Sequence, residues 1–406
     1  MRRPLLQLIG VCAVVLAVIL LLKFTVANEA SSPAARAADA PVTKASGIKT
    51  SWGEPDLQGI WTDEYQTPLQ RPARYAGKEF FTDEERAALD AQRAATELRP
   101  RAERGTERDV AGAYNQVFMS IKKTGRRTSL IVDPPDGKTP PLTPEIQKQL
   151  AAEREFRLAL LQATATCKNQ EPGCRGGKYG PPSPRRNEFP PRYSTANINR
   201  VDNPEDRSMS ERCMAAVLPD FTGFRRIVQS PRSVSIFYDV GQGQGWQRII
   251  PVDGSPHLPS HVRQRFGDSR GHWEGETLVV DVTNFSPKSD FLGSRENRHL
   301  VERWTRTGPN TIEYLVTIED PSTWTKPWTV KQEFSMQSNE ANRIYYEPRC
   351  HDGNFGLPGL LVGGRAKDKA FALGQGPNPA TLDNIKGMDA PEENTDPLAG
   401  GAAAAQ

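Results

Sequence analysis

From residue 224 to residue 350 the sequence runs through segments rich in β-branched and aromatic residues, with no helical periodicity between them. They read RRIVQSPRSVSIFYDV, WQRIIPV, ETLVVDVTNF, HLVERWTRT, TIEYLVTIED, WTVKQEFSM and NRIYYEPRC. Connections such as TGPN at 307–310 and QSNEAN at 337–342 are too short for a crossover, so consecutive strands must be antiparallel. An open meander of this length leaves two unpaired edges, and closing it removes them. The predicted fold is therefore mainly β: an antiparallel meander closing into a lipocalin-like barrel or a sandwich, with two N-terminal helices packed on it. GQGQG at 241–245 lies between strands with no helix after it, so it reads as a flexible hairpin turn and not as a phosphate cradle.

The helices are marked by their caps. In FTDEERAALDAQRAATEL, Thr82 stands three residues before Glu85, a capping box that predicts a helix from about 83 to 98. Thr143 followed by Pro144 predicts a second helix, through EIQKQLAAEREFRLALLQA. Between them, RTSLIVDPPDGKTPPLTP is a short apolar strand ending in a proline-rich turn, and PDLQGIWT at 55–62 is a short strand or turn burying Ile60 and Trp61. The stretch 168–205 holds too much Gly, Pro and Arg for regular structure. The expected division is 28–50 as a flexible linker, 51–205 as a helical and irregular N-terminal region, 206–365 as the antiparallel β-barrel domain, and 366–406 as a disordered tail.

The first residues bear on compartment. Arg2 and Arg3 precede an uncharged, mostly apolar run from Leu5 to Leu22, so residues 1–27 read as a signal peptide or an N-terminal membrane anchor. The protein is then expected to be periplasmic or secreted, or anchored to the inner membrane by residues 5–22. Cys167, Cys174, Cys213 and Cys350 would meet an oxidising compartment, where three disulfide pairings are open to them. CKNQEPGC can close on itself through its Pro-Gly turn, which would leave Cys213 to join Cys350 and tie the start of the β-rich region to its end. By the chain-entropy model that long loop is worth on the order of 5 kcal/mol. With 52 basic against 49 acidic residues and a net charge of +3, no nucleic-acid stripe or polybasic membrane surface is indicated. The membrane is a partner only through the N-terminal segment, if that stays uncleaved.

PDLQGIWT, RTSLIVDPPDGKTPPLTP, GDSRGHWEGETLVVDVTNF, HLVERWTR, EDPSTWTKPWT and CHDGNFG occur in this order over roughly residues 54–364. In these motifs the chain resembles a large family of uncharacterised exported bacterial proteins, abundant in acidobacteria and sphingomonads. The resemblance implies export and carries no activity with it. Where that family usually reads WEGDTLVVD this chain has Glu276, and where it often reads CHEGN this chain has Asp352. Both changes keep the carboxylate and move it by one methylene.

The histidines are His257, His261, His272, His299 and His351, and three of them fall inside motifs: His257 in DGSPHLP, His299 in RHLVERW and His351 in CHDGN. Imidazole is the usual general acid or base near neutral pH and the commonest metal ligand. The sequence has no HExxH or HxH, and no GxSxG elbow between strand and helix, so neither a zinc protease nor a serine hydrolase is indicated. In HLVERWTR, alternation puts His299, Val301 and Arg303 on one face and Leu300, Glu302 and Trp304 on the other. Whichever face points inward, a polar group enters the barrel and needs a partner, which predicts an internal polar network. GDSRGHWEG is expected to form a charged turn before ETLVVDVTNF, with Asp268 bonding the backbone two residues ahead and Trp273 capping the barrel end. Its charges, Asp268, Arg270, Glu274 and Glu276, form either a surface ion-pair net or the lining of a polar barrel mouth.

These residues predict an exported barrel that binds a small, partly apolar organic molecule in its mouth. In the catalytic version His299 or His351 is the acid or base, oriented by Asp268, Glu302 and Arg303, in hydrolysis, elimination or isomerisation without a cofactor. The ligand-binding candidates are His257, Arg263, Trp273, Glu274, Asn284 and Asn354. A metal-dependent alternative makes His257, His299 and His351 ligands. A non-catalytic carrier or envelope interaction protein would use the same residues only to staple loops.

Overall fold

The computed structural model describes residues 47–97, 122–171, 174, 176–191, 199–209, 211–214, 216–239, 245–337, 350–351 and 354–382. The chain divides into two units, Met1–Thr43 and Lys44–Gln406. The first, with the expected signal or anchor, lies outside the described residues, and everything below concerns the second. The strand expected in NRIYYEPRC and the GQGQ of the expected hairpin turn lie outside them too. Among the described residues no helix is long and apolar enough to cross a membrane.

The strands are β1 (Gly59–Thr62), β2 (Tyr65–Gln66), β3 (Lys123–Thr124), β4 (Ile131–Asp133), β5 (Phe224–Ser230), β6 (Ser233–Asp239), β7 (Gly245–Pro251), β8 (Asp268–Glu274), β9 (Thr277–Thr283), β10 (His299–Gly308), β11 (Thr311–Glu319) and β12 (Trp328–Met336). One 10-stranded antiparallel sheet runs β7-β6-β5-β1-β12-β11-β10-β9-β8, with β4 added on β12, and it curls into a nearly closed barrel. β1 meets β12 at Met336 and Ser335, while β4 meets it at Thr329 and Val330. Two short strands from the N-terminal region thus complete one side of β12, and the barrel extends beyond the expected boundary at residue 206. Trp61 of β1 is fully buried, as PDLQGIWT suggested, while Ile60 is only half-buried.

The seam lies between β7 and β8, which share no ladder. It is closed by side chains: Arg248 Nε donates to Ser269 Oγ at 2.9 Å. Gly271 on β8 lets the strands approach, since a Cβ there would stand 2.8 Å from Val252 Cγ1 and 2.9 Å from Ile250 Cγ2. Most barrel strands carry the period-2 pattern of a one-sided sheet; β8 and β9 depart from it at Asp268 and Val279, which are buried on the outer face. Leu278, Val280 and Val282 of β9, Leu300 and Trp304 of β10, and Ile312, Tyr314, Val316 and Ile318 of β11 enter one core. Full burial of each such aliphatic side chain is worth roughly 1.5–3 kcal/mol.

GDSRGHWEG differs from its expected turn. Asp268 to Glu274 pair with Thr283 to Thr277 as β8, and the turn itself is only Gly275-Glu276. Gly275 has φ +60°, at the first central position of a two-residue hairpin, where a glycine matches the twist of the flanking strands. Asp268 makes no turn because its carboxylate is held by the amide of Leu258 and by His257.

The helices are α1 (Asp83–Glu97), α2 (Pro144–Leu161), the one-turn α3 (Ala165–Lys168) and α4 (Gly356–Ala372). The capping box of α1 forms: Glu85 Oε2 accepts from Thr82 N at 2.8 Å, and Thr82 Oγ1 accepts from Glu85 N at 3.3 Å. α2 begins at Pro144, and its cap residue Thr143 fastens it to the β11–β12 connection by donating to the carbonyls of Ser322 and Thr323. α4 carries the chain through residue 366, where a disordered tail was expected. Its last part, RAKDKAFA, is built of strong helix formers and still carries Phe371, so the composition change expected to mark disorder begins further along. Disulfides join Cys167 to Cys174 and Cys213 to Cys350, which is compatible with a location outside the cytoplasm.

Candidate functional site

The two faces of β10 separate two polar systems. Leu300, Glu302 and Trp304 point inward, so the polar group that enters the barrel is Glu302. Its carboxylate lies 2.7 Å from Arg248 Nη1 and accepts from Tyr314 Oη at 2.8 Å. Arg248 also donates to Tyr238 Oη at 3.2 Å and to Ser269 at 2.9 Å. This is the expected internal network, spread over β6, β7, β8, β10 and β11. Burial drives the Tyr238 hydroxyl up to about 12, and burial together with the Glu302 charge holds Tyr314 well above the ordinary phenol range. Both tyrosines are therefore neutral donors and acceptors at any physiological pH.

On the outer face, carboxylates and imidazoles alternate across four strands. Buried Asp268 on β8 places Oδ2 2.8 Å from His257 Nδ1, and His257 Nε2 lies 2.9 Å from Asp281 Oδ1 on β9. The other oxygen of Asp281 lies 2.7 Å from His299 Nε2 on β10, and His299 Nδ1 is 3.5 Å from Glu319 Oε2 on β11. The order Asp268–His257–Asp281–His299–Glu319 follows from the ladder. Asp268 and His299 both take the level of Thr283, while Asp281 lies two residues along β9 on the same outward face. The Asp281 bond and charge, helped by Glu319, raise His299 above the ordinary histidine value against a lowering by partial burial. The bond from His299 chiefly lowers Asp281.

The two imidazoles are not equivalent. A neutral imidazole has one N–H, so an uncharged His257 can donate to only one of the two carboxylates that flank it. Both its nitrogens are engaged, and it pins the 252–267 connection onto the sheet. Asp268 adds a bond from Leu258 N at 2.9 Å, Arg270 Nε donates to Pro256 O at 2.7 Å, and Asn284 Nδ2 donates to Leu258 O at 2.9 Å. His299 has one short bond and one long contact, with a side chain 33% exposed. Its Nδ1, with only the long 3.5 Å contact to Glu319, is the less tightly held nitrogen. An imidazole oriented by a carboxylate that is itself held by a further group is the arrangement of acid–base sites.

The predicted residues therefore divide. His299, Asp268 and His257 come together in one chain, with Asn284 beside it. Glu302 is corrected from orienting His299 to anchoring Arg248, because it lies behind the sheet. Arg303 is on the His299 face but pairs with Glu274 at 2.6 Å, and Glu274 also lies 3.1 Å from His272. These bonds lower the Glu274 carboxyl, so this part of the charged motif forms the surface ion-pair net. Arg263 donates to the carbonyls of Phe285 and Glu296 and braces the same connection. Trp273 packs half-buried against the barrel core. His351 is exposed beside the Cys213–Cys350 disulfide, and Asn354 bonds Glu211 O and Cys213 Sγ, so neither joins the imidazole chain. Among the described residues no three His, Cys, Asp or Glu side chains are placed to hold a metal ion, which leaves the alternative of His257, His299 and His351 without a ligand set.

Sequence reasoning missed Asp281, the residue that joins the two imidazoles, and Arg248, the counter-charge of Glu302. Asp281 did carry a signal: it is the one charge within the apolar strand TLVVDVT. A scan against protein-family models gave no match, and a search of curated proteins gave none either.

Proposed function

We propose that this chain is an exported barrel protein, of the bacterial family its motifs resemble. It acts on a small organic molecule by metal-free acid–base chemistry at the outer face of β8–β11. The observation that carries the reading is the bridging of His257 and His299 by Asp281. His299 is the acid or base that touches the substrate, and Asp281 fixes its ring. Asp268 and His257 fix Asp281 in turn. A group held protonated above the ordinary histidine range suits a proton donor to a leaving group or enolate oxygen, and in its neutral form it takes the proton back. This supports hydrolysis, elimination or isomerisation, with the reacting molecule at the sheet surface and not inside the barrel.

The non-catalytic carrier is the competing reading, favoured by one observation: His257 has both nitrogens bonded and staples a loop. Turnover separates the two. The full chain is assayed against a panel of esters, lactones, β-substituted acids and enolisable ketones, beside His299→Ala. Turnover of one class, lowered roughly 10²–10⁴-fold by the substitution, is expected. Turnover unaffected by the substitution, or saturable binding of a panel member without turnover, overturns the catalytic reading.

A further inference from the structure

The polar belt inside the barrel holds more hydrogen-bond donors than the protein supplies acceptors for. Arg225 on β5 is 0% exposed and Arg248 on β7 is 4% exposed. Both lie against Tyr238: the Arg225 guanidinium carbon is 5.7 Å from the ring centroid, and Arg248 bonds the hydroxyl. Arg225 directs Nη2 to the carbonyls of Asp220 and Thr222 at 3.2 and 3.0 Å, and its guanidinium carbon lies 3.8 Å from the Phe334 ring centroid. Its Nε and Nη1, the Nη2 of Arg248 and the Nε1 of Trp304 have no acceptor, although all three residues are more than nine-tenths buried; against these four donors stand two acceptor atoms without a hydrogen bond, Asp220 Oδ2 and Glu302 Oε2. Native interiors leave few donors in that condition, and each calls for an explanation.

The carboxylates facing these guanidiniums are Glu302, 2.7 Å from Arg248, Asp220, 3.4 Å from Arg225, and buried Asp63, which feels the Arg225 charge and is held by Lys122 at 2.5 Å. Glu302 and Asp220 are each committed to one arginine, and Asp63 to Lys122. The other walls of the belt are aromatic: the Trp304 ring lies 4.1 Å from Tyr314 and 6.1 Å from Phe334. Spare guanidinium and indole donors beside aromatic faces suit an anion that has a small apolar body.

We propose that the barrel interior binds a short-chain monocarboxylate. Its oxygens accept from the spare donors of Arg225 and Arg248, and its hydrocarbon part lies against Trp304 and Phe334. The site is independent of the outer-face reaction, because Trp304 and His299 project from opposite faces of β10.

The test uses the full chain, dialysed free of small anions and titrated with sodium propionate against sodium chloride at constant ionic strength. Thermal melting and tryptophan fluorescence are read together. A saturable rise in Tm with propionate is expected, weaker by about tenfold in apparent affinity in Arg248→Lys and in Trp304→Phe. Trp304→Phe keeps a ring in place, so it remains informative if Arg248→Lys fails to fold. Equal responses to propionate and chloride would mean that the donors are met by water or by any anion. That outcome, or propionate saturation unchanged in both variants, overturns the proposal.

Discussion

Replacing Glu302 by glutamine removes one charge from the barrel interior and almost no volume. Arg248 is left with Ser269 and Tyr238 as neutral partners, at 2.9 and 3.2 Å, and no carboxylate within its reach from β10. Removing one member of a buried pair costs about 3–5 kcal/mol, because the surviving charge keeps its desolvation penalty. For a chain of this size that corresponds to a fall in Tm of roughly 4–8 °C. Tyr314 loses an ionised acceptor and keeps a neutral one, so the cost falls mainly on Arg248. The paired replacement Arg248→Met, Glu302→Leu removes both charges and should recover most of the loss, since a packed apolar pair is often as stable as a buried ionic one. Urea midpoints followed by tryptophan fluorescence, with unchanged slope, measure both variants. If Glu302→Gln stays within about 1 kcal/mol of the parent protein, or the double variant is less stable than the single one, the pair does not hold the barrel as argued.

Asp281→Asn tests the outer-face chain by pH. The lowered Asp281 carboxyl contributes stability above its ordinary value of 3.8, lost as pH falls through its folded value. The raised His299 contributes below its ordinary 6.5, and that part is lost as pH rises through the higher folded value. The substitution should therefore cost more at pH 5 than at pH 9, and an equal loss in urea midpoint at both would refute the coupling. At the seam, Gly271→Ala drives a methyl group to within 2.8 Å of Val252 and 2.9 Å of Ile250, whose branched side chains have little room to turn. A loss of about 1–3 kcal/mol is expected, and a neutral result would show that β7 and β8 do not meet there.

Most of the barrel was legible because its information is local. Alternation in HLVERWTR and TIEYLVTIED fixes two faces per strand, and short connections fix antiparallel order. The disulfides formed are one of the three pairings the sequence left open, the one in which CKNQEPGC closes on itself through its Pro-Gly turn. The positions of β1 and β4 were not legible, because four- and three-residue strands pair with residues that lie far along the chain. GDSRGHWEG was misleading for a physical reason: its Gly271 is required by close approach to β7, and not by a turn. In the site, His257, His299 and Asp268 were visible as residue types inside motifs. Their junction at Asp281 depends on the register of β9 against β8 and β10, which no single strand encodes. The orientation of Glu302 depended on which face of β10 became the core, and the sequence left both open.

The place of β1 sets an order in time. It lies between β5 and β12, pairing Trp61 with Arg225 on one side and with Met336 on the other. The residues that must find each other are separated by most of the folded unit, so the loop to be closed is long and the search slow. A ribosome or export channel delivers the N-terminal strand first, and its slot does not exist until the last strand has arrived. Until then the side of the sheet that β12 will cover is a bare edge, open to pairing with another chain. The barrel is therefore suited to folding after release of the whole chain, and a half-delivered molecule is the form most exposed to aggregation.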